Sequence, residues 1–346
     1  MARHNPYSLT FGKEPLQIIQ RIAQEIEIID TFSMENPTNQ LYIITGVRGV
    51  GKTVMMTEIS QKISQDESWI TIELNPEGNM IKSLGAKLYS VDKMQNLFDG
   101  LSISASLFGF GVEVQKNPRI VDEEVAISEM LKTLKKRNKR LLITVDEATN
   151  NAQMRRFASA FQILIRQDLP VFLIMTGLYE NINALMNVDN LTFLYRAPKC
   201  VLKPLNNTAM ISNYQSVLNI SREKAAEMAE LTKGYSYAFQ VLGYLTYENN
   251  GEYEPIIDLY RQYLEEYVYE KIWSELSAKD QELVVAIAES KTGKVSDIRE
   301  IIDISNNEFN PYRGRLIKKG IVNGDKRGYV TFNLPFFGEF AIDMMR

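Results

Sequence analysis

The stretch "LYIITGVRGVGKTVMMTEISQ", residues 41–61, restricts the fold of this chain more than any other. Its centre, Gly46–Thr53, fits the pattern G-x-x-x-x-G-K-[ST] without a mismatch. At average composition a chance match in a chain of this size is on the order of one per cent. The apolar, β-branched run before it reads as a buried strand that stops at glycine, and the residues after it read as a helix. That setting is what a phosphate-binding loop requires. Gly46, Gly49 and Gly51 let the backbone curl round phosphate oxygens with its N–H groups turned inward, and Val47, Arg48 and Val50 complete the wrap. The helix N-terminus, with Val54 in its first turn, adds partial positive charge. Lys52 is placed to reach the outer phosphates, and the Thr53 hydroxyl suits a magnesium ligand.

Further apolar runs extend the pattern. "WITIELN" (69–75), "LLITVDEA" (141–148) and "VFLIMTG" (171–177) read as strands, each separated from the next by helical periodicity. Strands alternating with helices imply an α/β fold with a parallel sheet covered on both faces. Asp146 ends one strand and is placed to hold magnesium, directly or through water. Glu147, the next residue, can orient and deprotonate an attacking water. Thr176, at the end of a later strand, either bonds a γ-phosphate or lytic water or caps its strand locally. Arg196 is either an arginine finger, in cis or from a neighbouring subunit, or a surface arginine. "LSISASLFGFGVEVQ" (101–115) alternates at period two and is expected to form a β-hairpin, packed on its own domain or used as a partner-contacting flap.

Composition removes other chemistries. The chain has one cysteine, Cys200, and one histidine, His4, so no Cys/His zinc site or histidine-based nucleophilic machinery is expected. No apolar run reaches the roughly 18 residues of a membrane span, and no signal-peptide core opens the sequence. A reducing, cytoplasmic setting without membrane contact is expected.

After "CVLKPL" (200–205) strand alternation gives way to successive helices up to about residue 276. "SAKDQELVVAIAES", "KVSDIREIIDIS" and "NEFNPYRGRLIKKGI" then read as three amphipathic helices, followed by a hairpin that turns at Gly324–Gly328. Three helices and a two-stranded wing make a winged helix-turn-helix. Its third helix and wing carry Arg313, Arg315, Lys318, Lys319, Lys326 and Arg327, although Ser274–Arg346 as a whole holds eleven bases and eleven acids. Positive charge gathered there suits phosphates of duplex DNA. Winged helices also dock proteins, so both partners stand as expectations.

The order of phosphate loop, Asp-Glu strand, polar strand end and later arginine resembles that of AAA+ and STAND-type ATPases. The resemblance is closest to bacterial and archaeal ATPases related to the origin-recognition initiators, and it extends over nearly the whole chain. It implies a P-loop ATPase domain (1–205), a helical lid (206–273) and a winged helix (274–346). ATP or ADP and Mg2+ are the implied cofactors, and a homo-oligomer is implied if Arg196 acts in trans. "NPYSLTFG" (5–12) is similar to an Asn-Pro-aromatic stretch that lies near the adenine in that family. "KGYSYAFQVLGYLTY" (233–247) is similar to the family's lid helix, which often begins Gly-x-Pro; Ser236 stands in place of the proline. No arginine lies on this helix, which departs from the AAA+ second-sensor pattern and favours a slow ATP switch.

Overall fold

In the computed structural model, residues 4–10, 15–91, 98, 105–109 and 122–346 are described. The chain forms two compact units, Ile22–Thr45 with Lys52–Val201, and Met1–Arg21 with Gly46–Gly51 and Leu202–Arg346.

The first unit contains α1 (Ile22–Ser33), β1 (Leu41–Thr45), α2 (Lys52–Ser64), β2 (Trp69–Leu74), α3 (Met80–Ser90), α4 (Glu123–Lys136), β3 (Arg140–Val145), α5 (Ala152–Arg166), β4 (Val171–Gly177), α6 (Tyr179–Met186) and β5 (Lys199–Val201). Its five strands are all parallel, in the order β2-β3-β4-β1-β5. Every residue of β1 and β4 is buried, which is why both read as unbroken apolar runs. Alternate residues serve opposite faces of the sheet. Ile43, Leu141, Ile143 and Leu173 join a core with Phe157, Phe161 and Leu164 of α5. Phe172, one residue before Leu173, packs instead at a tilt against the rings of Phe32 of α1 and Trp69. Fully burying one such phenyl ring contributes roughly 1.5–3 kcal/mol.

Side-chain caps start the helices on the first face. Asn79 accepts from the amide of Lys82, Asp122 from those of Glu124 and Val125, and Asn151 from that of Met154.

Of the hairpin expected at 101–115, only residues 105–109 are described, with a 3-10 turn at Ala105–Phe108; the rest lies outside the described residues. The Phe108 ring packs on α3. It lies where Gly85 of α3 has no side chain; a Cβ at Gly85 would meet the ring at 2.0 Å.

The second unit is helical apart from one hairpin. It contains α7 (Asn207–Leu218), α8 (Arg222–Thr232), α9 (Ser236–Glu248), α10 (Ile257–Leu264), a π turn at Glu265–Tyr269, α11 (Glu270–Ser274), α12 (Ala278–Glu289), α13 (Val295–Ile302), α14 (Asn306–Lys319), β6 (Val322–Asn323), β7 (Thr331–Phe332) and α15 (Phe337–Met345). The π turn packs Tyr269 against Phe337 and Phe340, and the Tyr269 hydroxyl bonds the carbonyl of Pro335 at 2.5 Å. A Ser305–Glu308 capping box starts α14, and Gly320, with φ +80°, stops it. β6 and β7 pair antiparallel, with a further bridge between Lys294 and Tyr329.

The N-terminal stretch is anchored on α7 and α9. The Tyr7 ring is buried against Tyr214 and Phe239, and its hydroxyl bonds Asn213 at 2.9 Å. A Cβ on Gly243 would strike that ring at 2.6 Å. Among the described residues no helix is long and apolar enough to cross a membrane.

Candidate functional site

The strand register of the first unit aligns chemically active residues at one edge. Thr45 pairs with Gly177, so β1 and β4 end level, and Val145 pairs with Met175, so β3 ends two residues earlier at the same edge. The carboxyl ends of parallel strands are where open α/β sheets hold ligands. Asp146 follows β3 immediately, and two hydroxyls bond its carboxylate. The Thr53 hydroxyl, from the first turn of α2, donates to Oδ2 at 2.8 Å, and the fully buried Thr176 hydroxyl donates to Oδ1.

The same Thr176 oxygen accepts the amide of Glu147 at 3.1 Å, and Asp146 Oδ1 accepts that amide as well. Glu147 has φ +52°, a left-handed conformation that costs a non-glycine residue about 1–2 kcal/mol. Its two amide bonds, with Ala148 N–H bonding the carbonyl of Thr176 at 2.8 Å, hold the strained turn in place. The turn leaves the Glu147 side chain exposed while Asp146 is half-buried. Two adjacent carboxylates are thereby given different surroundings. The Thr176 hydroxyl thus links Asp146 to the Glu147 backbone.

Among the described residues no cluster of three or more His, Cys, Asp or Glu side chains could hold a metal. The Thr53 hydroxyl and Asp146 carboxylate supply hard oxygen donors only. That set suits Mg2+, which takes one or two protein ligands and completes its shell with water and phosphate.

In the second unit, Gly46–Gly51 is bound through its carbonyls. The Tyr235 hydroxyl donates to Arg48 O at 2.6 Å, Tyr237 N–H to Gly49 O at 3.1 Å, and the Ser236 hydroxyl to Val50 O at 2.8 Å. Arg21 adds a bond to Val50 O at 3.0 Å, and the Arg48 side chain pairs with Glu275 at 2.9 Å. Gly49 occupies a position that the loop pattern leaves open. It has φ +76°, and a Cβ there would lie 2.3 Å from the Tyr235 oxygen. Sequence reasoning missed Arg21 and Tyr235; the available signal was a third glycine where the pattern asks for none.

Arg196 ends a 3-10 turn, Asp189–Arg196, and is exposed. The C-terminal cations separate into two groups. Arg315 grips the buried Asp280 of α12 through Nε, at 3.0 Å from each oxygen, and Nη2, at 2.7 Å. Buried Lys319 stands 3.9 Å from the same carboxylate. Arg313 is half-buried and close to Gly324, where a Cβ would meet its Nη2 at 2.3 Å. Lys318, Lys326 and Arg327 are exposed, with the Lys326 ammonium 4.0 Å from the centre of the Tyr329 ring.

Residues 266–341 match a family described as a domain of unknown function (DUF8462). No curated protein matches the chain. A Walker-type ATPase of Pyrococcus abyssi superposes with a TM-score of 0.62 at 17% identity, covering 94% of this chain and 96% of that one. The ORC2 protein of Aeropyrum pernix, in ADPNP-ADP complexes, superposes with a TM-score of 0.58 at 12% identity, covering 96% and 95%. The chain therefore has the P-loop ATPase fold of the archaeal Walker-type and origin-recognition ATPases, along nearly its whole length.

Proposed function

We propose that this chain is an ATP-binding switch that hydrolyses ATP slowly and contacts duplex DNA through a winged helix formed by α12–α14 and the β6–β7 hairpin. The observation that carries the reading is the network of Thr53, Asp146, Thr176 and Glu147 at the strand ends. It presents a hydroxyl and a carboxylate able to hold Mg2+ beside an exposed second carboxylate. Gly46–Val54 would hold the phosphates of ATP or ADP, with Lys52 neutralising the outer ones. Bound Mg2+ would offset phosphate charge. Glu147 would accept the proton of the attacking water, and its strained backbone fixes where that carboxylate starts. Arg196, being exposed, is available to a neighbouring copy.

A specific observation favours a second reading, in which the winged helix docks a protein in a STAND-type scaffold. Arg315 and Lys319 share an internal carboxylate, which leaves fewer cations facing outward than the sequence suggests. Calorimetry with Mg-ATP and a mobility shift on duplex DNA, with and without ATP, test both readings. ATP binding by the wild type and none by Lys52→Ala is expected. Tight ATP binding by Lys52→Ala would remove the phosphate loop from the mechanism, and absence of any DNA shift would select the docking reading.

A further inference from the structure

Four consecutive carbonyls of the phosphate loop, those of Val47, Arg48, Gly49 and Val50, have protein donors. Val47 O accepts the amide of Val50 at 3.3 Å. The other three accept from Tyr235, Tyr237 and Ser236 at the start of α9, as described above, and Arg21 shares Val50 O. In a planar trans peptide the N–H of one residue points opposite to the C=O of the residue before it. Fixing the carbonyls of Arg48 and Val50 towards α9 therefore turns the amides of Gly49 and Gly51 away from it, while the Val50 amide is taken up by Val47 O.

Arg21 ties this arrangement together. Its Nη2 reaches Val50 O at 3.0 Å, Lys203 O at 3.1 Å and the Ser236 hydroxyl oxygen at 3.1 Å. Ser236 is thus acceptor to Arg21 and donor to Val50 O. A proline at this position, as the resemblance leads one to expect, could do neither. Burial keeps the Tyr235 phenol well above the ordinary tyrosine range, so it remains a donor throughout the working pH range.

We propose that Arg21, Tyr235 and Ser236 are positioning residues of the phosphate loop: they hold its Arg48 and Val50 carbonyls on α9 and so preset the Gly49 and Gly51 amides for phosphate. The proposal rests on the reading of Gly46–Thr53 as a nucleotide site. It makes phosphate affinity depend on α9 remaining docked, with an arginine from the N-terminal segment serving a helix that has none.

The test uses the full chain with Tyr235→Phe, Ser236→Ala, Ser236→Thr, Arg21→Ala and Arg21→Lys. Losing one net hydrogen bond of the usual strength should raise the Kd for Mg-ATP about three- to ten-fold for Tyr235→Phe and for Ser236→Ala. Arg21→Ala should raise it about ten-fold or more, and Arg21→Lys should restore part, because one ammonium cannot match the guanidinium fork. Ser236→Thr keeps the hydroxyl and should bind like wild type. KM should rise with kcat retained, since Asp146 and Glu147 are untouched, whereas a merely structural defect would reduce active protein at constant KM. Hydrogen exchange of the 46–51 amides in nucleotide-free protein should quicken in the weakened variants. Wild-type Kd, KM and loop exchange in Tyr235→Phe and Arg21→Ala would overturn the proposal. Failure of wild type to bind ATP would instead overturn the nucleotide reading, and loop exchange would still decide whether these residues order the loop.

Discussion

The Asp146 and Asp280 carboxylates make opposite uses of an aspartate. Asp146 is half-buried at a strand end and is bonded by two neutral hydroxyls, Thr53 and Thr176. Its charge remains available to a cation. Asp280 is 1% exposed and is gripped by Arg315, with Lys319 behind it. Its charge is already matched inside the protein. A carboxylate bonded by neutral hydroxyls keeps its charge for the cation proposed above, whereas one enclosed by cations is part of the scaffold.

This contrast also shows what could be read from the sequence. The sheet was legible because buried parallel strands have no polar side to disguise them, as β1 and β4 show. Thr53 and Asp146 could be singled out because the phosphate-loop pattern and a strand-end acid fix residue type, but their hydrogen bond to one another was not foreseen. The cations of α14 were not legible in the same way. Arg315 and Lys318 are three residues apart, yet one grips a buried acid while the other is exposed, and only packing against α12 decides which. The Tyr235 clasp was hidden because it acts on backbone carbonyls, which are the same for every residue type. The seating of Phe108 against Gly85 was hidden for a similar reason, since it depends on a missing side chain in another element.

The largest expected effect sharpens the contrast at the strand-end site. Glu147→Gln preserves size and the strained turn but cannot accept a proton. Turnover of ATP should fall about 10²- to 10⁴-fold, the usual worth of a general base, with ATP affinity retained. Single-turnover hydrolysis beside calorimetry measures both, and unchanged turnover would make Glu147 a surface carboxylate.

The next effect falls on stability. Asp280→Ala leaves buried Lys319 without its carboxylate, and breaking a buried pair in this way costs roughly 3–5 kcal/mol. Urea unfolding should show that loss. Combining Asp280→Leu with Arg315→Met and Lys319→Met should recover most of it, because the enclosed charges are removed together. A loss below about 1 kcal/mol would place the pair in the class of exposed ion pairs and remove the contrast with Asp146.

The smallest effect tests the outward cations against the inward ones. Lys326 and Arg327 lie at the tip of the β6–β7 hairpin and are exposed, with the Lys326 ammonium over the Tyr329 ring. If they meet DNA phosphates, each releases counterions, and the slope of log affinity against log salt should fall by about 0.9 per contact, or about 1.8 for Lys326→Ala with Arg327→Ala. The loss should be similar for every DNA sequence, because phosphates carry no base identity. Removing Arg315, by contrast, should lower stability and leave the salt slope of the folded protein unchanged, since its charge already faces Asp280. Measuring both variants across a salt series by fluorescence anisotropy separates a cation that holds the domain from one that meets a ligand. An unchanged slope in the hairpin variant would remove the tip from the DNA interface. A changed slope with Arg315→Met would mean that α14 releases this arginine from Asp280 on binding, and the distinction between inward and outward cations would then hold for the free protein alone.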